Sequence, residues 1–275
     1  MTESASIHER LFDVRDTTVV VTGAASGLGY AMAEVLADCG ARVTLADIDA
    51  DRLEEVTRVL AERGAKVRSF VVDVSDESQV QALIDDVVEV EGRVDVVFAN
   101  AGIAAVPWHA VEGGQQLETV ERSVWDRVLG VNLNGVLFTM KSAAAVRKRQ
   151  RSGRIVVMSS IAGLQAEAMV CYGYIASKAA VLNLVRQASL ELAPHGVLVN
   201  AICPGPFKGT RIGGGATEQP DPETEREWAA TIPLGRMADP EELKGLALLL
   251  ASPASSFITG AIYVIDGGSL VGSRV

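Results

Sequence analysis

The sequence predicts an α/β fold in which one parallel sheet is covered on both faces by helices. Three observations predict it. Short apolar, β-branched runs alternate with longer runs of helical periodicity along all 275 residues; this alternation is the pattern of βαβ units. The first strand runs directly into a glycine-rich turn that opens a helix, the context of a dinucleotide-binding unit. The polar residues that stand out all fall at the C-terminal ends of strands, where open α/β sheets bind their ligands.

Taken in order, a polar tail (1–12) precedes a strand at Thr17–Thr22. The turn Gly23-Ala24-Ala25-Ser26-Gly27-Leu28-Gly29 then opens a helix reaching Cys39. Glycines let a backbone approach a pyrophosphate, and the helix N-terminus offers unpaired N–H groups to it. The next strand, Arg42–Ala46, ends at Asp47, a carboxylate placed to bind both hydroxyls of an adenosine ribose and to repel a 2′-phosphate. No Arg or Lys lies in the turn or immediately after Asp47, which favours NAD over NADP. The alternative is that Asp47 caps the helix beginning near Asp49.

A third strand, Lys66–Val72, ends in Asp73-Val74, and a fourth, Arg93–Phe98, ends in Ala99-Asn100-Ala101-Gly102. Helices lie between, near Asp49–Arg63 and Glu77–Glu91. A long helix of about Val124–Arg149 carries Asn132, a poor helix former that is either a buried polar anchor or a plain structural residue. The strand Gly153–Met158 ends in Ser159-Ser160, and a helix of about Tyr172–Leu192 follows. A sixth strand, His195–Ile202, leads into Pro204-Gly205-Pro206-Phe207-Lys208-Gly209-Thr210. The stretch 207–233 reads as a mobile substrate lid with a short helix. A helix near Pro240–Ala251, a strand Ala261–Ile265 and a tail (266–275) that packs on a neighbouring subunit complete one domain over 1–275.

The formal net charge of −10 disfavours a nucleic-acid partner, which needs a basic face. Three scattered cysteines give neither a disulfide framework nor a zinc site, so no metal is expected. The segment Met1–Arg10 is unlike a signal peptide, and no apolar run approaches ~20 residues. The expectation is a soluble cytoplasmic protein with no membrane partner.

Tyr174 and Lys178, four apart on one helix, share a face. A phenol titrates near ~10 in isolation. A neighbouring ammonium favours the phenolate, and a phenol so tuned exchanges a proton with an alcohol or carbonyl oxygen. A serine at a strand end can hold that same oxygen. The plain alternative is a surface Tyr beside a solvated Lys. A serine hydrolase is dismissed: no G-x-S-x-G elbow is present, and His8, His109 and His195 are poorly placed as a base.

With these motifs assembled, the chain resembles the short-chain dehydrogenase/reductase family from about Asp13 to Gly268. The matching residues are Thr22–Gly29, Asp73-Val74, Asn100–Gly102, Asn132, Ser160, Tyr174 with Lys178, Asn200 with Pro204-Gly205, and Asp266–Gly268. The resemblance implies a seven-stranded parallel sheet in the order 3-2-1-4-5-6-7 and a homotetramer. It implies Tyr174 as general acid/base, with Lys178 lowering its pKa and binding the nicotinamide ribose. Ser160 holds the substrate oxygen and Asn132 organises a proton-relay water. Gly23, Ser26, Gly27, Leu28 and Gly29 would cradle NAD. Asp47 with Ile48 would select it, and Asp73 and Val74 would meet the adenine. Asn100, Ala101 and Gly102 would lie along the cofactor's ribose, and Pro204, Gly205, Phe207 and Thr210 at the carboxamide.

Three departures stand out. Ala99 replaces the usual first Asn of Asn-Asn-Ala-Gly; Ser160 lies fourteen residues before Tyr174, one more than usual, which keeps Ser159 in competition; and the loop to Thr210 is one residue longer. The implied activity is an NAD-dependent interconversion of a secondary alcohol and a ketone. A 3-oxoacyl thioester reductase, a sugar dehydrogenase and a non-catalytic NAD-binding regulator are the alternatives. Pocket walls are expected from Ala104–Val111, Leu164–Tyr172 and Phe207–Trp228. Trp108, Met169 and Phe207 would favour an apolar or cyclic substrate, and His109, Gln165, Glu167 and Arg211 would hold polar groups.

Overall fold

A computed structural model describes residues 6–104, 116–167, 170–210 and 222–272. Seven strands form one parallel sheet: β1 Thr18–Thr22, β2 Arg42–Asp47, β3 Lys66–Val71, β4 Val96–Ala99, β5 Gly153–Met158, β6 Val197–Pro204 and β7 Ile262–Ile265. Their order is β3-β2-β1-β4-β5-β6-β7. The order reverses between β1 and β4, which opens a crevice at their C-terminal ends.

The helices are α1 Ile7–Leu11, α2 Gly27–Asp38, α3 Ala50–Glu62, α4 Glu77–Glu91, α5 Arg122–Leu129, α6 Val136–Gln150, α7 Tyr172–Leu192, α8 Pro222–Thr231 and α9 Lys244–Ala251. Strand residues alternate between two cores. Val19, Val21, Val43 and Leu45 face α2, α3 and α9, whereas Val20, Val97, Val157 and Ala201 face α4, α6 and α7. Because both faces are covered, β1 and β4 are buried along their whole length and read as unbroken apolar runs.

Several boundaries differ from expectation for identifiable reasons. Within the polar tail, Ile7–Leu11 forms a single-turn helix held by a capping box between Ser6 and Glu9. β4 starts at Val96 rather than Arg93, because the Asp95 carboxylate is engaged by the Arg93 guanidinium and by the Thr18 N–H at 3.0 Å. β6 starts at Val197 rather than His195, which lies in a 3₁₀ turn over Ala193–His195 that contains Pro194 and is closed by Gly196. The expected continuous helix over Val124–Arg149 is interrupted by a π-helical turn at Gly130–Gly135. Of the expected lid, 211–221 lies outside the described residues, and α8 is its helix. The beginning of the C-terminal tail packs on its own chain: Asp266 accepts from the N–H groups of Gly268 and Leu270, and Leu234 N–H donates to Gly267.

Arg147 on α6 is fully buried, and none of its three guanidinium nitrogens has a hydrogen-bond partner among the described residues. It fits only because Gly153 has no side chain: a Cβ there would lie 2.0 Å from Nη1. Burial pulls its pKa down to about 9.

Candidate active site

The glycine turn joins β1 to α2 at the centre of the C-terminal crevice. Gly23 has φ +68°, and a Cβ on it would lie 2.8 Å from the Ala101 Cα. At Gly29 a Cβ would fall 2.0 Å from the Gly23 carbonyl oxygen, so the turn and the first helical turn close on each other only without side chains. Ser26 holds the N-cap position of α2 without a side-chain cap bond, so no Ser26 hydroxyl covers the first-turn N–H groups. The loop after β6 reaches the same place: a Cβ on Gly27 would stand 3.0 Å from the Gly209 carbonyl oxygen. Leu28 is buried in the core beneath the turn.

Thr22, at the end of β1, ties this turn to the next strand. Its hydroxyl accepts from the N–H groups of Asn100 and Ala101 at 3.0 and 3.2 Å. The Asn100 amide donates back to the Thr22 and Gly23 carbonyls at 2.9 and 3.2 Å. Sequence reasoning assigns Thr22 no role of its own; the signal it offers is the place of Thr22 directly before the first glycine.

Asp47 closes β2 beside the turn. One carboxylate oxygen accepts from Ala25 N–H at 3.0 Å and the other from Asp49 N–H at 3.1 Å. Asp49, not Asp47, caps α3, accepting from Arg52 N–H at 3.2 Å. Ile48 beside it is 64 % exposed, an apolar side chain open at the rim of the crevice. Asp73 is engaged locally with Ser75, and Val74 lies beneath the π turn, where a Cβ on Gly135 would meet it at 2.8 Å.

That π turn turns Asn132 inward. Its amide oxygen accepts from Ile103 N–H and its amide nitrogen donates to the Ile103 carbonyl, both at 2.8 Å. The buried-anchor alternative is therefore the one the structure shows. The added residue in the turn is a feature often found at functional sites. It also places Asn132 beside Gly102 and Lys178: a Cβ on Gly102 would lie 3.4 Å from the amide oxygen and 3.3 Å from Lys178 Nζ.

The two serines after β5 have separate duties. Ser159 donates its hydroxyl to the Lys178 carbonyl at 2.7 Å, which fixes α7 against the strand end. Ser160 accepts from Ala162 N–H at 3.2 Å, and its hydroxyl is near enough to the Tyr174 phenol to pull the pKa of that phenol down. Tyr174 and Lys178 are both buried on the inner face of α7, not on its surface. Lys178 donates to the Met158 carbonyl at 2.9 Å, and its Nζ lies 5.6 Å from the Tyr174 ring centroid.

Electrostatics in this site run against expectation. Burial pushes Tyr174 up to about 12, and the nearby Ser160 hydroxyl pulls the other way. Burial brings Lys178 down to about 8. The expected depression of Tyr174 by Lys178 does not show: desolvation dominates, and Lys178 is not among the groups that move this phenol. At neutral pH the phenol is protonated.

Of the expected pocket walls, Trp108, His109, Met169 and Arg211 lie outside the described residues. Val170 and Tyr174 form a small apolar cluster with Val128 and Ala162. Phe207 does not stand open as a wall: its ring is buried in the core on the α2 side, and its carbonyl accepts from the Thr210 hydroxyl at 3.1 Å. Gly205 packs on Asp266, where a Cβ would meet the Cα at 2.8 Å. Pro204 is the last residue of β6. Asn200 is a brace, donating to the Ile258 carbonyl and accepting from Ala261 N–H.

Residues 23–269 match a family model described as enoyl-(acyl carrier protein) reductase. The chain is 38% identical over 253 residues to the cis-4-hydroxycyclohexanecarboxylate dehydrogenase of Sinomonas cyclohexanicum, covering 92% of this chain and 96% of that one. This chain belongs to the short-chain dehydrogenase/reductase family. A short-chain dehydrogenase/reductase from Mycobacterium marinum superposes with a TM-score of 0.85 at 34% identity, covering 96% of this chain and 99% of that one. A protein of Beutenbergia cavernae described as an NAD(P)-dependent gluconate 5-dehydrogenase, with bound NADP, superposes with a TM-score of 0.83 at 35% identity, covering 95% and 99%. As a short-chain dehydrogenase/reductase the protein is an oxidoreductase of a family that uses a nicotinamide dinucleotide. No helix among the described residues is long and apolar enough to cross a membrane.

Proposed function

We propose that the protein is an NAD-dependent oxidoreductase that interconverts a secondary alcohol and a ketone, with Tyr174 as general acid/base. The observation that carries this reading is the convergence of buried Ser160, Tyr174 and Lys178 at the end of β5, with Lys178 Nζ 5.6 Å from the Tyr174 ring centroid and Gly102 alongside. The residues at the strand ends fit a dinucleotide: glycines too closely packed to bear side chains, a helix N-terminus, and a carboxylate at the end of β2. NAD would supply the hydride acceptor when bound. The chain's own groups do the rest. The Ser160 hydroxyl holds the substrate oxygen. The Tyr174 oxygen takes its proton during oxidation and returns it during reduction. Lys178 holds positive charge beneath that phenol, and Asn132 keeps the Ile103 backbone and the inner end of the site in register.

Protonated Tyr174 is the form ready to act in the reductive direction. Oxidation needs the phenolate, so added positive charge in the occupied site has to reverse the effect of burial. Gly23, Ser26 and Gly29 would meet the pyrophosphate, Asp47 the adenosine ribose, and Ile48 and Val74 the two sides of the adenine. A cyclic secondary alcohol is the favoured substrate class. Its support is the relative acting on cis-4-hydroxycyclohexanecarboxylate and the apolar cluster around Tyr174. A sugar acid is the second reading, favoured by the gluconate 5-dehydrogenase neighbour.

The test is reduction of NAD by purified protein across a panel of cyclic secondary alcohols and sugar acids. Tyr174→Phe should lower turnover at least about a hundredfold while dinucleotide binding is kept. Wild-type turnover in that variant would overturn the assignment.

A further inference from the structure

We propose that the face of β2 and β3 turned towards α4 carries a second binding site, for a small dianion of the short-chain dicarboxylate class. It lies at the end of the sheet opposite the crevice and is independent of the oxidoreductase reading. β2 and β3 run in register, with Arg42 beside Lys66 and Thr44 beside Arg68. Side chains two apart on a strand share a face. Thr44 also pairs with Val20 of β1, whose side chain lies in the α4 core. The register alone therefore gathers Arg42, Lys66 and Arg68 on that face. With Thr44, and with Glu91 at the end of α4, they line a recess of about 320 Å³. In a chain of net charge −10, three cations here surround one lining carboxylate.

The acids that meet these cations leave them open to a further anion. Asp16, 60 % exposed, is shared between Lys66 Nζ at 2.8 Å and Arg42 Nη2 at 3.3 Å. Glu91 meets the other terminal nitrogen of Arg42 at 3.2 Å. Asp86 pairs with Arg68 Nη2, while Arg68 Nη1 has no hydrogen-bond partner among the described residues. Exposed ion pairs hold weakly, because solvent screens them and ordering two long side chains costs entropy. A dianion in the recess meets all three cations at once, through charge-assisted bonds stronger than neutral ones. Spacing sets the class. Neighbouring strands lie about 4.8 Å apart, and residues two apart along a strand about 6.6 Å. Two carboxylates joined by a short carbon chain match that separation, whereas a single carboxylate engages one end of the cluster.

Calorimetric titration of the full chain with succinate, at fixed ionic strength in chloride, tests this without catalysis. Acetate and inorganic phosphate serve as the comparison anions. The wild type should bind succinate at one site per chain, more tightly than either. Arg68→Gln should weaken succinate about tenfold or more, the scale of a charge-assisted hydrogen bond. Lys66→Gln, at an exposed position where folding is not at stake, should weaken it in the same direction. The proposal is overturned if the wild type does not bind succinate. It is equally overturned if acetate binds as tightly, since spaced cations would then play no part. Tighter binding of phosphate would assign the cluster to a compact oxyanion and overturn the dicarboxylate. Succinate affinity unchanged in both variants would place the anion elsewhere on the molecule and overturn the site.

Discussion

Tyr174 and Lys178 are each displaced from their ordinary titration by the same cause, burial, in opposite directions. Desolvation favours the neutral form of both groups. Stability should carry this signature. With a folded pKa of about 8 against 10.5 unfolded, Lys178 burdens the fold fully below about pH 8. Between those values the unfolded chain holds more protons, so stability rises with pH. Tyr174 does the reverse between 10 and about 12, where the folded chain holds more protons and stability falls. Urea unfolding as a function of pH should show the rise in wild type and a flatter profile in Lys178→Met. At the neighbouring serines the two hydroxyls should separate kinetically. Ser160→Ala should cut turnover by at least about tenfold, and more if its bond is charge-assisted. Ser159→Ala removes only the tie to the Lys178 carbonyl, so it should cost about 1 kcal/mol of stability with turnover changed far less. Steady-state kinetics and unfolding of both variants check this, and a larger turnover loss in Ser159→Ala would exchange their roles.

Among the elements, the π turn at Gly130–Gly135 most directly joins fold to site. A continuous α-helix would lack the added residue that turns Asn132 onto the Ile103 backbone. Asn132→Leu would leave a partly buried N–H and carbonyl at Ile103 without partners, a cost of about 1–3 kcal/mol each before relaxation. It should lower the urea midpoint and, because Asn132 lies against Gly102 at the inner end of the site, reduce turnover as well. A variant with full activity and full stability would show that the clamp is dispensable. Asn132 was singled out in the sequence because Asn is a poor helix former. The π turn itself had no signature there: valine, leucine and glycine around it fit an ordinary helix equally well.

Across the whole molecule, the two cores differ in quality where Arg147 enters the one beneath α6. Among the described residues no hydrogen bond offsets the desolvation of this guanidinium, which the charge of Asp95 opposes in part. Replacing buried ionic groups by apolar residues of similar volume is often neutral or stabilising by about 1–4 kcal/mol. Arg147→Met should therefore raise the thermal midpoint, measured by calorimetry. A lower midpoint would mean that the guanidinium has a stabilising partner in solution. Arg147 lies with Lys148 and Arg149 in the last turn of α6, yet the helix rotates it inward, over the space left by Gly153.

By itself the sequence determined the alternation of elements, the place of nearly every strand, and the ends at which Gly23, Asp47, Ser160 and Tyr174 fall. These follow from short-range rules: periodicity, β-branching, glycine turns and caps act within a few residues of chain. Three things were decided only by the tertiary structure. One is the division of labour between Ser159 and Ser160, which depends on which hydroxyl meets α7 and which meets the phenol. Another is the reversal of the expected Tyr174 shift, because desolvation is set by everything packed around a group and not by its neighbour four residues away. The last is the meeting of Arg52 with the glycine turn, a contact across 27 residues that no local pattern encodes.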